Sequence, residues 1–241
     1  MENLKSKINQ IVEFMEENKE LREQYNTNCI KSFIATSNNA KEVIYSIFIN
    51  SLKAGKESNL SSNGDGAKFF FDKLDSLPDS ECLDYRDFIK HFGCSNPKEL
   101  FSLLEQRVTG MGAKKAALFM RDLDFCQRKA RPIFTSYNEK VASKSLVIPV
   151  DAVIRTIYDR LGLVSYKEKD YFNSINAHAK QEFSDQFMII EDLWFWGYFS
   201  TKGSENNREI VFNEAKFYTD SYIYPNRQLE NKINEFICLL K

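Results

Sequence analysis

The sequence predicts an all-α protein, on three observations. Apolar residues recur at helical spacing along most of the chain, from Leu4, Ile8, Ile11 and Met15 onward. Alternating strand patterns are confined to one short stretch, Ser145 to Ile148. Helix starts and stops carry recognisable cap residues.

The elements follow in order. Leu4 to Met15 marks a first amphipathic helix that serves as scaffold. Residues 40 to 53 form a second, with Val43, Ile44, Ile47 and Phe48 on one side. Ser58 to Gly66 is a polar, glycine-punctuated loop, and a further helix begins at Lys68-Phe69-Phe70-Phe71. Asn96-Pro97-Lys98-Glu99 combines an N-cap, a proline at the first helical position and an acidic residue closing a capping box. Leu100, Phe101, Leu104 and Val108 continue it as one apolar face. Gly110-Met111-Gly112 then turns the chain, and the next helix opens at about Ala113 with Lys114 and Lys115 in its first turn. Asp151 caps a helix from Ala152 to Leu161 that ends at Gly162. The twenty phenylalanines and eleven tyrosines supply a core of aromatic packing.

At 241 residues the chain can hold one large or two small domains. A net charge of −1 gives no bulk attraction to nucleic acid, so any such footprint is local. Arg121, Arg128, Lys129, Arg131, Lys140 and Lys144 are the candidates, and a solvated basic face explains them equally well. The five cysteines are odd in number and lack metal-type spacing, which favours a reducing compartment and a cytoplasmic location. No apolar run reaches membrane length, and the N-terminus is too charged for a signal peptide. His91 and His178 call for no role beyond surface or core positions.

Two residues carry the chemistry. Backbone amides at the start of the helix after Gly112 suit a phosphate, whatever the base sequence. Lys114 beside them is either a phosphate contact or a nucleophile. A nucleophilic amine must be neutral, and partial burial with Lys115 and Arg121 nearby lowers a lysine pKa in that direction. Asp151 is either a cap alone or a carboxylate that steadies positive charge on a sugar and takes a proton from the attacking amine.

Gly110-Met111-Gly112-Ala113-Lys114-Lys115-Ala116 and Pro149-Val150-Asp151 together resemble the hairpin and the Pro-Val-Asp of the helix-hairpin-helix DNA glycosylase superfamily. The interval from 114 to 151 is much longer than in its commonest members. It resembles the archaeal-type 8-oxoguanine DNA glycosylase/AP lyase branch, whose insertion ends in a similar Ile-Pro-Val-Asp. Asp192-Leu193-Trp194-Phe195-Trp196 is similar to that branch's aspartate four residues before a tryptophan. The likeness covers roughly residues 40 to 200.

The resemblance implies a two-lobed helix-hairpin-helix glycosylase fold across 1–241. One lobe is 40–125 with the hairpin at 97–122, the other is 1–39 plus 145–241, and the cleft lies between them. It implies a monomeric base-excision enzyme that flips 8-oxoguanine out of double-stranded DNA, with no membrane partner. Lys114 forms the Schiff base and Asp151 stabilises the transition state. Asp192 and Trp196 hold the base, with Trp194 in the core. Phe70 either stacks on the base or packs in the core, and Gly110, Gly112 and Lys115 contact phosphate. No metal or organic cofactor is implied, although a monovalent cation on the hairpin carbonyls is compatible. The four-cysteine iron–sulfur cluster of some relatives is excluded, because residues 142–241 hold only Cys238. A different modified base and a non-catalytic DNA-binding module are the alternative readings.

Overall fold

The computed structural model describes residues 2–54, 64–165, 167–204 and 207–241. The chain divides into two compact units, residues 1–28 with 150–241, and residues 29–149. The described residues are mostly helical, with thirteen α-helices and four two-residue strands. Among them no helix is long and apolar enough to cross a membrane.

The chain starts with α1 (Glu2–Glu17) and α2 (Lys19–Phe33). The unit of residues 29–149 is then built from α3 (Ala40–Lys53), α4 (Gly64–Asp75), α5 (Tyr85–His91), α6 (Pro97–Arg107), α7 (Ala113–Phe125) and α8 (Glu139–Ser145). Helix α3 buries Val43, Ile44, Ile47 and Phe48. Helix α4 begins at Gly64, four residues before Lys68. The expected loop from Ser58 to Asn63 lies outside the described residues.

Helix α6 starts where the local signals place it. Asn96 Oδ1 accepts the Glu99 amide at 3.0 Å, and Pro97 stands at the first helical position. Glu99 reaches back to the Ser95 amide at 2.7 Å rather than to that of Asn96. Its apolar face packs Leu100, Leu104 and Val108 inward, while Phe101 is only half-buried.

After α7 the helix widens into a π-helical turn, Cys126–Ala130. Gln127 Oε1 there accepts the amides of Ile133 and Phe134, each at 2.8 Å. This fixes β2 (Phe134–Thr135) parallel to β1 (Leu83–Asp84), in register Leu83 with Phe134. The expected extended stretch Ser145 to Ile148 pairs with no strand among the described residues, and Ser145 instead ends α8.

The unit of residues 1–28 and 150–241 adds α9 (Ala152–Arg160), α10 (Tyr171–Phe183), a 3₁₀ segment (Ser184–Glu191), α11 (Asp192–Phe199), α12 (Glu214–Thr219) and α13 (Arg227–Leu240). Between α11 and α12 lies an antiparallel ribbon, β3 (Thr201–Lys202) with β4 (Glu209–Ile210). The core joins Phe14 of α1, Phe195, Trp196 and Phe199 of α11, and Phe236 of α13. Gly197 lets α9 and α11 approach closely, because a Cβ there would run into the side chains of Val153 and Ile157. Asp151 and Asp192 are thereby carried on two tightly packed helices.

Candidate functional site

The turn between α6 and α7 depends on Gly110, whose φ of 81° lies in the left-handed region. The Met111 amide closes the turn on the Val108 carbonyl at 2.9 Å. Gly112 is the N-cap of α7 and makes no side-chain cap bond. Its backbone is exposed, with open space where a Cβ would sit. Its carbonyl accepts the amides of Lys115 and Ala116, so those of Ala113 and Lys114 are left with no acceptor among the described residues. Two free N–H groups at the positive end of a helix dipole, with no side chain over them, form a surface that suits a phosphate oxygen.

Lys114 is half-buried in the first turn of α7, beside those amides. Lys115 behaves differently from expectation. Its ammonium donates to the Leu52 carbonyl at 2.7 Å and so caps the C-terminal end of α3. Burial, and then the charge of Lys114, hold its pKa below the ordinary lysine value. The expected phosphate contact thus has a competing use: one donor of the ammonium is engaged by a carbonyl within its own unit.

Phe70 is corrected. It is fully buried, stacked on Phe48 at 3.8 Å between centroids and on Phe92 at 5.0 Å, with Phe119 edge-on at 5.5 Å. Its ring is a core element with no face left for a base.

Part of the expected basic footprint is also consumed internally. Arg121 pairs with buried Asp122 at 2.6 Å, and Arg128 with buried Asp124 at 2.5 Å. Arg131 donates to the carbonyls of Ser37 and Asn38. Lys140 and Lys144 remain exposed.

Asp151 is the N-cap of α9. Its Oδ1 accepts both the Val153 amide at 2.8 Å and the Ile154 amide at 3.0 Å. Oδ2 accepts no hydrogen bond among the described residues, so one oxygen builds the helix and the other has no donor.

Asp192 and Trp196 lie one helical turn apart on α11, and both are buried. Arg22 Nε stands 2.8 Å from Asp192 Oδ1, but the N–H is not aimed well enough to make a hydrogen bond. Neither Asp192 oxygen has a hydrogen-bond partner among the described residues, and neither does the Trp196 indole N–H. Buried polar atoms are ordinarily satisfied; Oδ1 is held in the Arg22 ion pair, while Oδ2 and the Trp196 N–H have no hydrogen-bond partner among the described residues. Burial pushes the Asp192 pKa up to about 7, against the pull of Arg22 and with a further push from Glu191 and Glu23.

Trp196 is enclosed by Phe14 at 4.8 Å, Phe195 at 5.0 Å and Phe236 at 5.9 Å. Trp194, expected in the core, is only half-buried and stacks on Tyr198 at 5.2 Å. The burial of the two tryptophans is therefore the reverse of expectation. In this arrangement Trp196 has its N–H to offer rather than a free ring face.

Arg22 carries no local signal in the sequence that marks it for a site. It sits in a charged run of α2, where nothing distinguishes it from its neighbours. His91 and His178 hold structural positions, His91 on the Lys73 carbonyl at 2.7 Å and His178 edge-on to Tyr158 at 5.5 Å. Among the described residues no three His, Cys, Asp or Glu side chains gather as for a metal. All five cysteines are free. Neither family models, curated proteins nor solved structures give a match to the chain.

Proposed function

We propose that the protein is a helix-hairpin-helix DNA glycosylase with AP lyase activity, acting on 8-oxoguanine. The observation that carries the reading is the turn at Gly110–Lys114. It combines a left-handed glycine, an exposed glycine N-cap, two amides with no acceptor and a half-buried lysine beside them. The free oxygen of Asp151 and the unsatisfied carboxylate of Asp192 support it.

The Lys114 amine forms a bond to C1′ of the flipped nucleotide as the bond from C1′ to the base breaks, and the base leaves with the electron pair. Asp151 stabilises the positive charge developing on the sugar and takes the proton from the new C–N centre. Ring opening gives the Schiff base. Loss of a C2′ proton then expels the 3′ phosphate and nicks the strand.

The Asp192 carboxylate accepts from the N1–H and N2–H₂ edge that guanine and its 8-oxo derivative share. That edge carries two donors and a carboxylate offers two acceptor oxygens, of which only Oδ1 is engaged by Arg22, which favours a guanine-type base.

The test is borohydride trapping on duplex DNA carrying an abasic site. The wild type and Lys115→Gln form the covalent adduct, and Lys114→Gln does not. Loss of trapping in Lys115→Gln alone moves the nucleophile one residue. No trapping by the wild type removes the lyase reading and leaves a DNA-binding module. A panel of single-lesion duplexes then tests the choice of base.

A further inference from the structure

We propose that the cavity between α2, α11 and residues 221–229 binds an uncharged nucleoside through its base. The cavity measures about 400 Å³, within the range of small-molecule sites. It lies wholly in the unit of residues 1–28 and 150–241. Tyr25, Phe195, Tyr222 and Tyr224 bring aromatic rings to it, and Gln24 and Asn28 bring amides. Gln24 and Asn28 stand one turn apart on α2 and so share a face of that helix.

The wall is fixed by contacts of its own. Asn28 Nδ2 donates to the Tyr222 carbonyl at 2.9 Å and ties the segment to α2. Asp220 accepts the Tyr222 amide at 2.8 Å and the Tyr25 hydroxyl at 3.3 Å. Further along, Asn226 donates to the Tyr224 carbonyl and accepts the Leu229 amide, each at 2.9 Å. Tyr25 packs on Phe195 at 5.3 Å and edge-on to Tyr222 at 5.9 Å. Tyr224 is left 85 % exposed, so its ring is available to cover a flat ligand.

The lining decides the class of ligand. Among the described residues no acidic or basic side chain lines the cavity, so a charged group entering it would lose water and gain no counter-charge. The Gln24 amide makes no hydrogen bond among the described residues, and the Asn28 carbonyl oxygen accepts none there. A carboxamide offers a donor and an acceptor in one plane, which matches the paired donor and acceptor on the edge of a base. Aromatic faces beside such an edge are the usual way an unstacked base is held. None of Lys114, Asp151, Asp192 and Trp196 lines the cavity, so the site stands whether or not the glycosylase reading does.

The test titrates the whole protein, without DNA, with adenosine, guanosine, cytidine and thymidine. It follows the side-chain amide resonances of Gln24 and Asn28, and calorimetry measures the affinity. At least one nucleoside should give shifts that saturate. Its 5′-monophosphate should bind no more tightly, for want of a cation in the lining. Gln24→Leu removes the paired donor and acceptor, and Tyr224→Ala removes the covering ring. Both positions are exposed, so both variants should melt as the wild type does. Each should bind that nucleoside at least about fivefold more weakly, the low end for a lost bidentate contact or a lost stack. No saturating shift with any nucleoside overturns the proposal, and the wild type alone decides this. Unchanged affinity in both variants overturns it too. So does a monophosphate that binds more tightly, or a methyl glucoside that shifts the same resonances equally.

Discussion

Arg22 Nε stands 2.8 Å from Oδ1 of Asp192, yet both carboxylate oxygens remain without a directed hydrogen bond. Burial pushes the acid up to about 7, the ion contact with Arg22 offsets this only in part, and Oδ2 is left without a donor among the described residues. Removing one partner of a buried pair is ordinarily costly, because the other charge is stranded. Here the stranded group can take a proton instead.

Asp192 makes stability depend on pH in a stated direction. Its pKa rises from 3.8 to about 7 on folding, so between these values the folded protein holds a proton that the unfolded chain has released. This contribution is fully present below pH 3.8 and declines as pH rises through about 7. Asp192→Asn removes the titration. The difference in melting temperature, variant minus wild type, should therefore grow in the variant's favour from pH 4 to 7.5. A constant difference across that range would show that Asp192 does not titrate there.

The same substitution separates folding from base recognition. Asparagine places a donor where a purine N–H is to be received, a mismatch worth about 1–3 kcal/mol. Release of 8-oxoguanine should fall by roughly one to two orders of magnitude, from the same penalty. Cleavage at a preformed abasic site has no base to read and should be spared. Equal loss of both activities would assign Asp192 to the fold.

Trp196 requires a gentler probe than truncation. Its ring is fully buried, so Trp196→Ala should cost about 3–5 kcal/mol and confound any activity measurement. Trp196→Phe keeps most of the packing and deletes the unsatisfied indole N–H, so stability should hold within about 1 kcal/mol. Thermal melting checks the first point. Slower base release with normal lyase activity in the Phe variant would give the N–H a part in recognition.

How much of this was legible in the sequence varies with the range of the interaction. Asn96, Pro97 and Glu99 announce α6, and Asp151 announces α9, because a cap is a contact within three residues. The bridge of Leu83 to Phe134 was not legible, since two-residue strands have no period and pair across half a unit. Nor were the ends of long side chains. Lys115 reaches back to Leu52 and Arg22 reaches Asp192, through contacts that only tertiary packing defines. Phe70 illustrates the remaining ambiguity. An aromatic residue on an apolar helix face suits a core and a base pocket equally, and its stacking on Phe48 and Phe92 places it in the core.

Asp151→Asn should leave the fold nearly intact. Asparagine retains an Oδ1 able to accept the Val153 and Ile154 amides, whereas complete loss of a cap costs about 1 kcal/mol. Turnover should fall steeply, because the free oxygen loses its charge. Single-turnover base release and thermal melting measured together test this. A variant that loses stability and activity in proportion would reduce Asp151 to a cap.

The two turn glycines should separate backbone strain from phosphate contact. Gly110 needs φ 81°, so Gly110→Ala forces an L residue into the left-handed region at a cost of roughly 1–2 kcal/mol. Gly112 has an ordinary φ of −66° and open space around its Cα, so Gly112→Ala should melt within about 1 kcal/mol of the wild type. Yet its new methyl group adds bulk to the exposed N-cap from which a phosphate oxygen is to approach the amides of Ala113 and Lys114. Affinity for damaged and undamaged duplexes should fall together in Gly112→Ala, because a phosphate contact carries no base information. Gly112→Ala with wild-type affinity would take the phosphate away from this turn, and a selective loss on lesion DNA would place the residue against the base.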